Sequence, residues 1–446
     1  MKQSTSTATG ITVPASLQSS FATTQALWRF LANDKVTLKK LIAPLRHFAK
    51  QQLTESQSDY IFAITDWSKL DYKKHKAKKD VVQVSHKEDI GYDLTCQLLV
   101  SAESGQPIAP IQMHLKTADG FLSTAETPPS EHVGHLEQVL SLMRESSAMH
   151  LSANIVHIID READSVFHLR EWSEQSFHYL VRAIDNRHVR WREQAVQLRE
   201  IKAQLESERA FAESREVMIG NKKGIQYIAE TEIILDRAAT KKVDGRVVCI
   251  PGKPIALRLV MVKVLDAQTR DELSAWYLLS NVSHEVSSER LSLWYYWRWR
   301  IESYFKLLKS GGHQLEHWQQ ESALAILKRL LIASMACTTV WCLQESKDAE
   351  SEELKSVLVG LSGKRLRRGR PPTAEILLSG LFVWLQMFDF LVAINFDLTK
   401  VISVNSTLGK ILKNQKKLCR YLWADALFFK PFLPPKIRNN QKFFRR

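Results

Sequence analysis

Apolar residues recur at three- and four-residue spacing through "TQALWRFLANDKVTLKKLIAPLRHFAKQQL" (24–53), which predicts a small helical unit behind a polar lead. From "YIFAITDWSKLDY" onward the period shortens. The runs "IFAIT", "VVQVS", "DLTCQLLVSA" and "IQMHLK", set between turn and charged residues, predict strands. A helical stretch near 131–149 leads into the apolar strand "NIVHII", which ends in "DREAD". A helix and the strand "YLVRAI" follow. A second β-rich block holds "YIAETEIIL", "RVVCI", "IALRLVMVKVL" and "AWYLLS" between about 208 and 280, and the pattern from 285 to about 396 is almost wholly helical. Sheet, then helix, strand, helix, strand is an α/β layout.

Within the late helical part, "LWYYWRWRIESYFKLLK" (293–309) carries two stripes. On a continuous α-helix at about 100° per residue, Tyr295, Arg298, Glu302 and Lys309 fall within an arc of about 60°. Trp294, Trp297, Ile301, Tyr304 and Leu308 fall beside them at core-facing spacing. Geometry alone leaves the polar stripe as either one wall of a site or an exposed ion-pair ladder. Two further acids stand at strand ends: Asp66 after "YIFAIT" and Asp160 after "NIVHII". A carboxylate just past a buried strand has a rigid frame while its oxygens reach the surface. Two such aspartates and a helix glutamate can hold two Mg²⁺ ions about 3.5 to 4 Å apart. Acids also commonly cap strands and open turns, and either aspartate alone fits that reading.

Charge narrows the partner. Lys and Arg number 62 against 48 Asp and Glu, a formal net charge of +14, and residues 401–446 hold eleven Lys/Arg against one acid, Asp425. A polyanion is the natural partner. Nucleic acid fits better than membrane, because the basic residues are spread over several segments. The start, "MKQSTSTATG", lacks the order of a signal peptide. The most apolar run, "LLSGLFVWLQMFDFLVAINF" (377–396), carries Gln386, Asp389 and Asn395 and reads as a buried or dimer-forming helix before a membrane span. Five cysteines, odd in number and never spaced as CxxC, suit a reducing compartment and argue against structural zinc.

The pattern Y-x2-R-x3-E-x6-K at Tyr295, Arg298, Glu302 and Lys309, with "DREAD" at 160–164 and "AITDWSKLDY" before it, resembles the DDE transposases of bacterial cut-and-paste insertion sequences, the insertion sequence four family. The resemblance covers roughly residues 24–396. It implies an RNase H-like catalytic core with a β-rich insertion, flanked by helical N-terminal and C-terminal regions. The 142 residues from Asp160 to Glu302 leave room for that insertion. The implied organisation is an N-terminal DNA-end-binding region (1–58), the first part of the core (59–207), the insertion (208–284), a catalytic helix (285–320), a dimerisation region (321–400) and a basic tail (401–446).

By position, Asp66, Asp160 and Glu302 match the family's metal-binding triad for two Mg²⁺ ions, with Mn²⁺ as a substitute. Tyr295, Arg298 and Lys309 match its phosphate- and DNA-contacting companions. Arg182 falls where the family has a DNA-contacting arginine, and Trp276 resembles a tryptophan that stacks on a flipped base. A buried strand aromatic is the alternative for Trp276. The implied partners are double-stranded DNA, at the element's inverted repeats and at the target, and a second copy of the chain. A bacterial cytoplasmic, nucleoid-associated location follows. Rival readings are an inactive or inhibitory DNA-binding relative and a nuclease that joins nothing. Two departures stand out: Trp67 follows Asp66 where small hydroxyl residues are expected, and only 65 residues precede Asp66.

Three short features stay outside that pattern. "KKHKAKK" (73–79) reads as a phosphate-contacting or merely solvated loop. "KRLRRGRPP" (364–372) contains the Arg-Gly-Arg-Pro core of a minor-groove hook, though a basic interhelical loop fits better. His313 and His317 stand four apart but follow Gly311-Gly312 with no zincin pattern around them.

Overall fold

The computed structural model describes residues 20–393 apart from 57, 130–133, 244–245 and 367–368, together with 4–6 and 12–14. The basic tail, the end of the apolar run at 394–396 and two arginines of "KRLRRGRPP" lie outside the described residues. Strands β1 (Ser4–Ser6) and β2 (Thr12–Pro14) pair antiparallel, and helices α1 (Ser20–Ala32) and α2 (Leu38–Ser56) follow. Next come β3 (Tyr60–Asp71), β4 (Val82–Gln83), β5 (Ile90–Ser101), β6 (Pro107–Thr117), β7 (Gly120–Ser123) and α3 (His135–Ser147). A crossover unit comprises β8 (Asn154–Ile159), α4 (Val166–Glu174) and β9 (His178–Ala183). It leads to β10 (His188–Trp191), β11 (Gln194–Gln197) and α5 (Leu198–Ser207). The second β-rich block contains β12 (Ala212–Ile219), β13 (Lys222–Leu235), β14 (Ala239–Val243), β15 (Arg246–Ile250), β16 (Ile255–Asp266) and β17 (Glu272–Ser280). Helices α6 (Ser288–Tyr296), α7 (Trp299–Lys306), α8 (Ala323–Glu345), α9 (Ala349–Ser362) and α10 (Ala374–Ala393) complete the described chain.

This is a mixed α/β fold. Thirteen strands join one sheet in the order β11-β10-β13-β16-β17-β9-β8-β3-β5-β6-β7, with β12 on β13 and β4 on β5. The strands of the second β-rich block extend the same sheet, because β17 pairs with β9, while β14 and β15 form a separate ribbon. The centre, β3-β8-β9, is parallel and its flanks are antiparallel. A parallel pair is covered on both faces and so needs apolar residues in succession. Ile61 to Thr65 are all buried accordingly, and so are Val156 to Ile159.

The chain divides into two compact units. One comprises Thr37–Lys306 with Gln320–Leu331; the other comprises the described parts of Met1–Val36, Leu307–Gln319 and Ile332–Arg446. In the first, α2 lays Leu38, Leu41, Ile42, Leu45, Ala49 and Leu53 against the sheet at β6. A second apolar core gathers Ile159, Trp172, Tyr179, Val181, Leu259 and Leu279. Burial of each large side chain contributes roughly 1.5–3 kcal/mol.

In the other unit α9 starts at Asp348, whose carboxylate caps Ser351 N at 2.9 Å, and stops at Gly363 with φ +63°. Its partner α10 crosses closely at Gly380, where a Cβ would lie 1.9 Å from Leu358 O. Among the described residues helix α8 is long and apolar enough to cross a membrane by length and composition, and 67% of its apolar window is buried in the protein.

Candidate active site

Sheet register assembles the first part of the site. The parallel ladders pair Thr65 with Ile159 and Ile159 with Val181, so the next residues, Asp66, Asp160 and Arg182, lie side by side where the parallel pairing stops. That end of the ladder is where open parallel sheets bind ligands. Asp160 directly follows β8, but Asp66 is not the strand end expected from the sequence: β3 runs on to Asp71 because its other edge stays paired with β5. Asp160 also caps a single 3₁₀ turn, Arg161–Ala163, its Oδ1 accepting from Arg161 N at 2.7 Å. Trp67 N donates to Asp66 Oδ1 at 2.8 Å in the same way.

The remaining groups come from α6 and α7. Ser287 caps α6 through Arg290 N. The expected single helix is broken at Trp297-Arg298, and this corrects the continuous-helix geometry. Arg298 N bonds to Tyr295 O at 3.0 Å and Arg300 N to Trp297 O at 2.9 Å, spacings of three that tighten the chain before α7 begins. Packing fixes the break: Gly105, at φ +68°, leaves room for the Trp297 ring, which a Cβ would meet at 2.3 Å, and Arg300 Nε donates to Gly105 O at 2.7 Å. Beyond α7 the chain passes into a π-helical turn, Leu307–Gly311.

Arg298 therefore turns inward. Its guanidinium, 5% exposed, reaches all three acids: Nη1 lies 3.1 Å from Asp66 Oδ2, and Nη2 lies 2.7 Å from Glu302 Oε1 and 3.5 Å from Asp160 Oδ2. Tyr295 OH donates to Asp160 Oδ1 at 2.9 Å. The core stripe is buried as its spacing requires, save Trp297, which is half-buried.

Charge and burial separate the two aspartates. Burial pushes Asp66 up to about 6, against the opposing pull of Arg298 and the Trp67 amide. At Asp160 burial pulls the same way, yet Arg298, the Arg161 amide and Tyr295 together hold it below the ordinary range. The same cation serves both, but Asp160 has more donors and a more exposed side chain, 35% against 18%. Tyr295 is pushed above the ordinary phenol range, by burial first and by the Asp160 charge second.

Asp66 thus holds its proton more tightly folded than unfolded, so its ionisation costs stability as pH rises from about 4 to about 6. Asp66→Asn is expected to gain on the order of 1–3 kcal/mol over the wild type at pH 7.5 and to lose that advantage near pH 4. Urea midpoints at the two pH values measure it, and a variant less stable at both would contradict the assignment.

Other expected residues fall as follows. Arg182 stands close enough to interact electrostatically with both Asp160 and Tyr295. Trp276 is buried on β17 with its ring centroid 5.8 Å from that of Tyr295, the placement of a packed strand aromatic. Lys309 belongs to the other unit, on the π-helical turn, with Nζ 3.3 Å from Glu316 Oε1. In "KKHKAKK", Lys78 is buried over the Tyr72 ring and burial lowers it to about 8, while Lys73, Lys74, Lys76 and Lys79 are exposed. His313 packs edge-on against Phe382.

Residue typing missed the second aspartate of "DREAD". Asp164 is buried and binds Ile184 N and Arg187 Nε at 2.8 and 2.9 Å, tying the turn to the end of β9. The signal available was an acid four residues past a strand-end acid.

Three carboxylates from separate elements form an oxygen donor set of the kind a hard divalent cation takes, and here one buried guanidinium compensates their charge. Among the described residues no group of three or more His, Cys, Asp and Glu side chains is arranged to share one ion, and Arg298 pairs with all three acids.

No family model matches the sequence, and no curated protein does. Among solved structures the chain is similar to the piggyBac transposase of a synaptic complex with hairpin DNA, at 11% identity and a TM-score of 0.28. That match covers 74% of this chain and 52% of that one, so the chain spans about half that length. A likeness this loose carries no weight for function.

Proposed function

We propose that the protein is a cut-and-paste DNA transposase of the insertion sequence four type, with an RNase H-like core around β3, β8 and β9. The observation that carries this reading is the meeting of Asp66 from within β3, Asp160 from the end of β8 and Glu302 from α7 around Arg298, with Tyr295 on Asp160. An exposed ion-pair ladder does not bury its arginine.

Asp66, Asp160 and Glu302 would hold two Mg²⁺ ions, or Mn²⁺ in their place, which activate the attacking oxygen and stabilise the leaving one. Water attacks the phosphodiester at the element's end and frees a 3′-OH. That hydroxyl attacks the phosphodiester of the opposite strand and expels the flanking DNA's 3′-OH, closing a hairpin; a second water reopens it and restores the 3′-OH, which then attacks a target phosphodiester and expels a target 3′-OH. Tyr295 is a positioning residue: its proton is committed to Asp160 and its phenol is harder to ionise than usual, so it is no nucleophile. Arg182 and Lys309 would hold phosphates by charge and directed hydrogen bonds, and Arg298 would reach one only when metal ions relieve it of its carboxylates. Trp276 reaches a flipped base only if its contact with Tyr295 opens. The partners are double-stranded DNA and a second copy of the chain, docked through the helices of 321–400, in the bacterial cytoplasm at the nucleoid.

Calorimetric titration with Mn²⁺ tests the donor set without DNA. The wild type is expected to bind and Asp160→Asn to bind at least about tenfold more weakly. Equal affinity in the two proteins would contradict the site, and DNA binding without Mn²⁺ binding would favour the inactive, DNA-coating relative.

A further inference from the structure

Trp67 and the glutamate of "DREAD" have no part in the chemistry above, yet one side chain touches both. His135, the first residue of α3, stacks on the Trp67 indole with ring centroids 4.7 Å apart and planes 13° from parallel. Its Nε2 lies 2.6 Å from Asp93 Oδ2 on β5, and its Nδ1 lies 3.1 Å from Glu162 Oε2 in the turn that Asp160 opens. A neutral imidazole has one N–H, so it would set a lone pair against one of these carboxylates; the imidazolium satisfies both. The charge is not a gift of the helix, since a cation at a helix N-terminus opposes the macrodipole. It is drawn there by the two acids, which outweigh burial and hold the ring above its ordinary range.

The contacts converge on the aspartates from two sides. Trp67 supplies the backbone N–H that fixes Asp66 Oδ1, and its own indole Nε1 has no hydrogen-bond partner among the described residues, while the ring stacks on His135. Glu162 lies inside the three-residue turn whose first amide fixes Asp160 Oδ1. Asp93 anchors the brace to the sheet, standing opposite Lys69 of β3 in the ladder, and its Oδ1 is buried without a hydrogen-bond partner among the described residues.

We propose that His135, as an imidazolium, is a positioning residue that ties the turn carrying Asp160 to the strand carrying Asp66 and so holds the two carboxylates at one spacing. The consequence for metal rests on the transposase reading; the brace itself does not. The groups facing the ring are Asp93 from β5, Glu162 from the turn and the uncharged Trp67 from β3. Deprotonation of His135 therefore removes the tie to one carboxylate. Trp67, the departure from the small hydroxyl residues expected after Asp66, is then the platform for the brace.

The test compares wild type, His135→Phe, which keeps a stacking ring without charge, and His135→Arg, which keeps a planar cation able to bond both acids. Amide exchange across 161–165 reads the brace without any metal, and Mn²⁺ affinity reads its consequence. Exchange is expected to quicken severalfold in His135→Phe and to stay at the wild-type rate in His135→Arg. Mn²⁺ affinity should fall about tenfold in His135→Phe, the usual scale for a residue that supports metal ligands. Between pH 6 and 8.5 the wild type should lose protection at 161–165 while His135→Arg holds it. Exchange in His135→Phe equal to wild type would overturn the brace. Should His135→Phe fail to fold, the pH series of wild type against His135→Arg decides alone, and parallel profiles overturn the proposal. A wild type that binds no Mn²⁺ sinks the metal reading of the carboxylates, and exchange still decides for or against the brace.

Discussion

Arg298→Ala is expected to lower the thermal midpoint of the metal-free protein by roughly 6–12 °C. The substitution removes the one guanidinium that reaches Asp66, Asp160 and Glu302 together, and removing one partner of a buried ion pair costs about 3–5 kcal/mol. The lower end applies here, about 3 kcal/mol, because the Asp160 and Glu302 side chains are 35% and 37% exposed and water screens them. At about 2–4 °C per kcal/mol for a unit of this size, the shift follows. Millimolar Mg²⁺ should restore much of the loss in the variant and do less for the wild type, where Arg298 already compensates the acids. Arg298→Lys is expected in between, since an ammonium lacks the planar fork that reaches three carboxylates. A midpoint unchanged by Arg298→Ala, with no added response to Mg²⁺, would contradict the view that this guanidinium holds the site together.

Glu302→Gln separates chemistry from folding. Its Oε1 can still accept from Arg298 Nη2, so the ring of contacts closes and the thermal midpoint should stay near that of the wild type. What disappears is one of three ligand charges for the divalent ions. Metal stabilisation of the transition state is worth several kcal/mol, and each 1.36 kcal/mol is tenfold in rate, so nicking should fall by about 10³ or more. DNA affinity should change little. Substantial Mg²⁺-dependent nicking left in a folded Glu302→Gln would remove this residue from the chemistry.

The candidate site was partly legible because its residues stand at pattern boundaries. "YIFAIT" and "NIVHII" are continuous apolar runs, each followed by an acid, so Asp66 and Asp160 could be placed next to buried strand residues without knowing the sheet, although β3 runs on past Asp66 to Asp71. Their adjacency could not, since the Thr65 to Ile159 pairing joins residues 94 positions apart and parallel register leaves no local mark. The helical wheel failed for a similar reason. Nothing in "YYWRWR" marks a break, which comes from Gly105 and the Trp297 ring meeting across the fold, and the π-helical turn then moves Lys309 off the wheel. The wheel set Tyr295 and Arg298 on a polar edge, yet both are buried, turned inward toward acids that are themselves only half-buried. His135 was invisible: a histidine with no motif, distant in sequence from every residue it touches.

The most direct measurement is the product pattern when the wild-type protein and Mg²⁺ act on a labelled duplex carrying the inverted repeat that flanks its coding region. A nick at the repeat's end, followed by a species that migrates as a covalently closed hairpin and later reopens, is the expected result. Uncut duplex under conditions where the protein binds it, or simple hydrolysis with no hairpin at any time point, would contradict the transposase assignment.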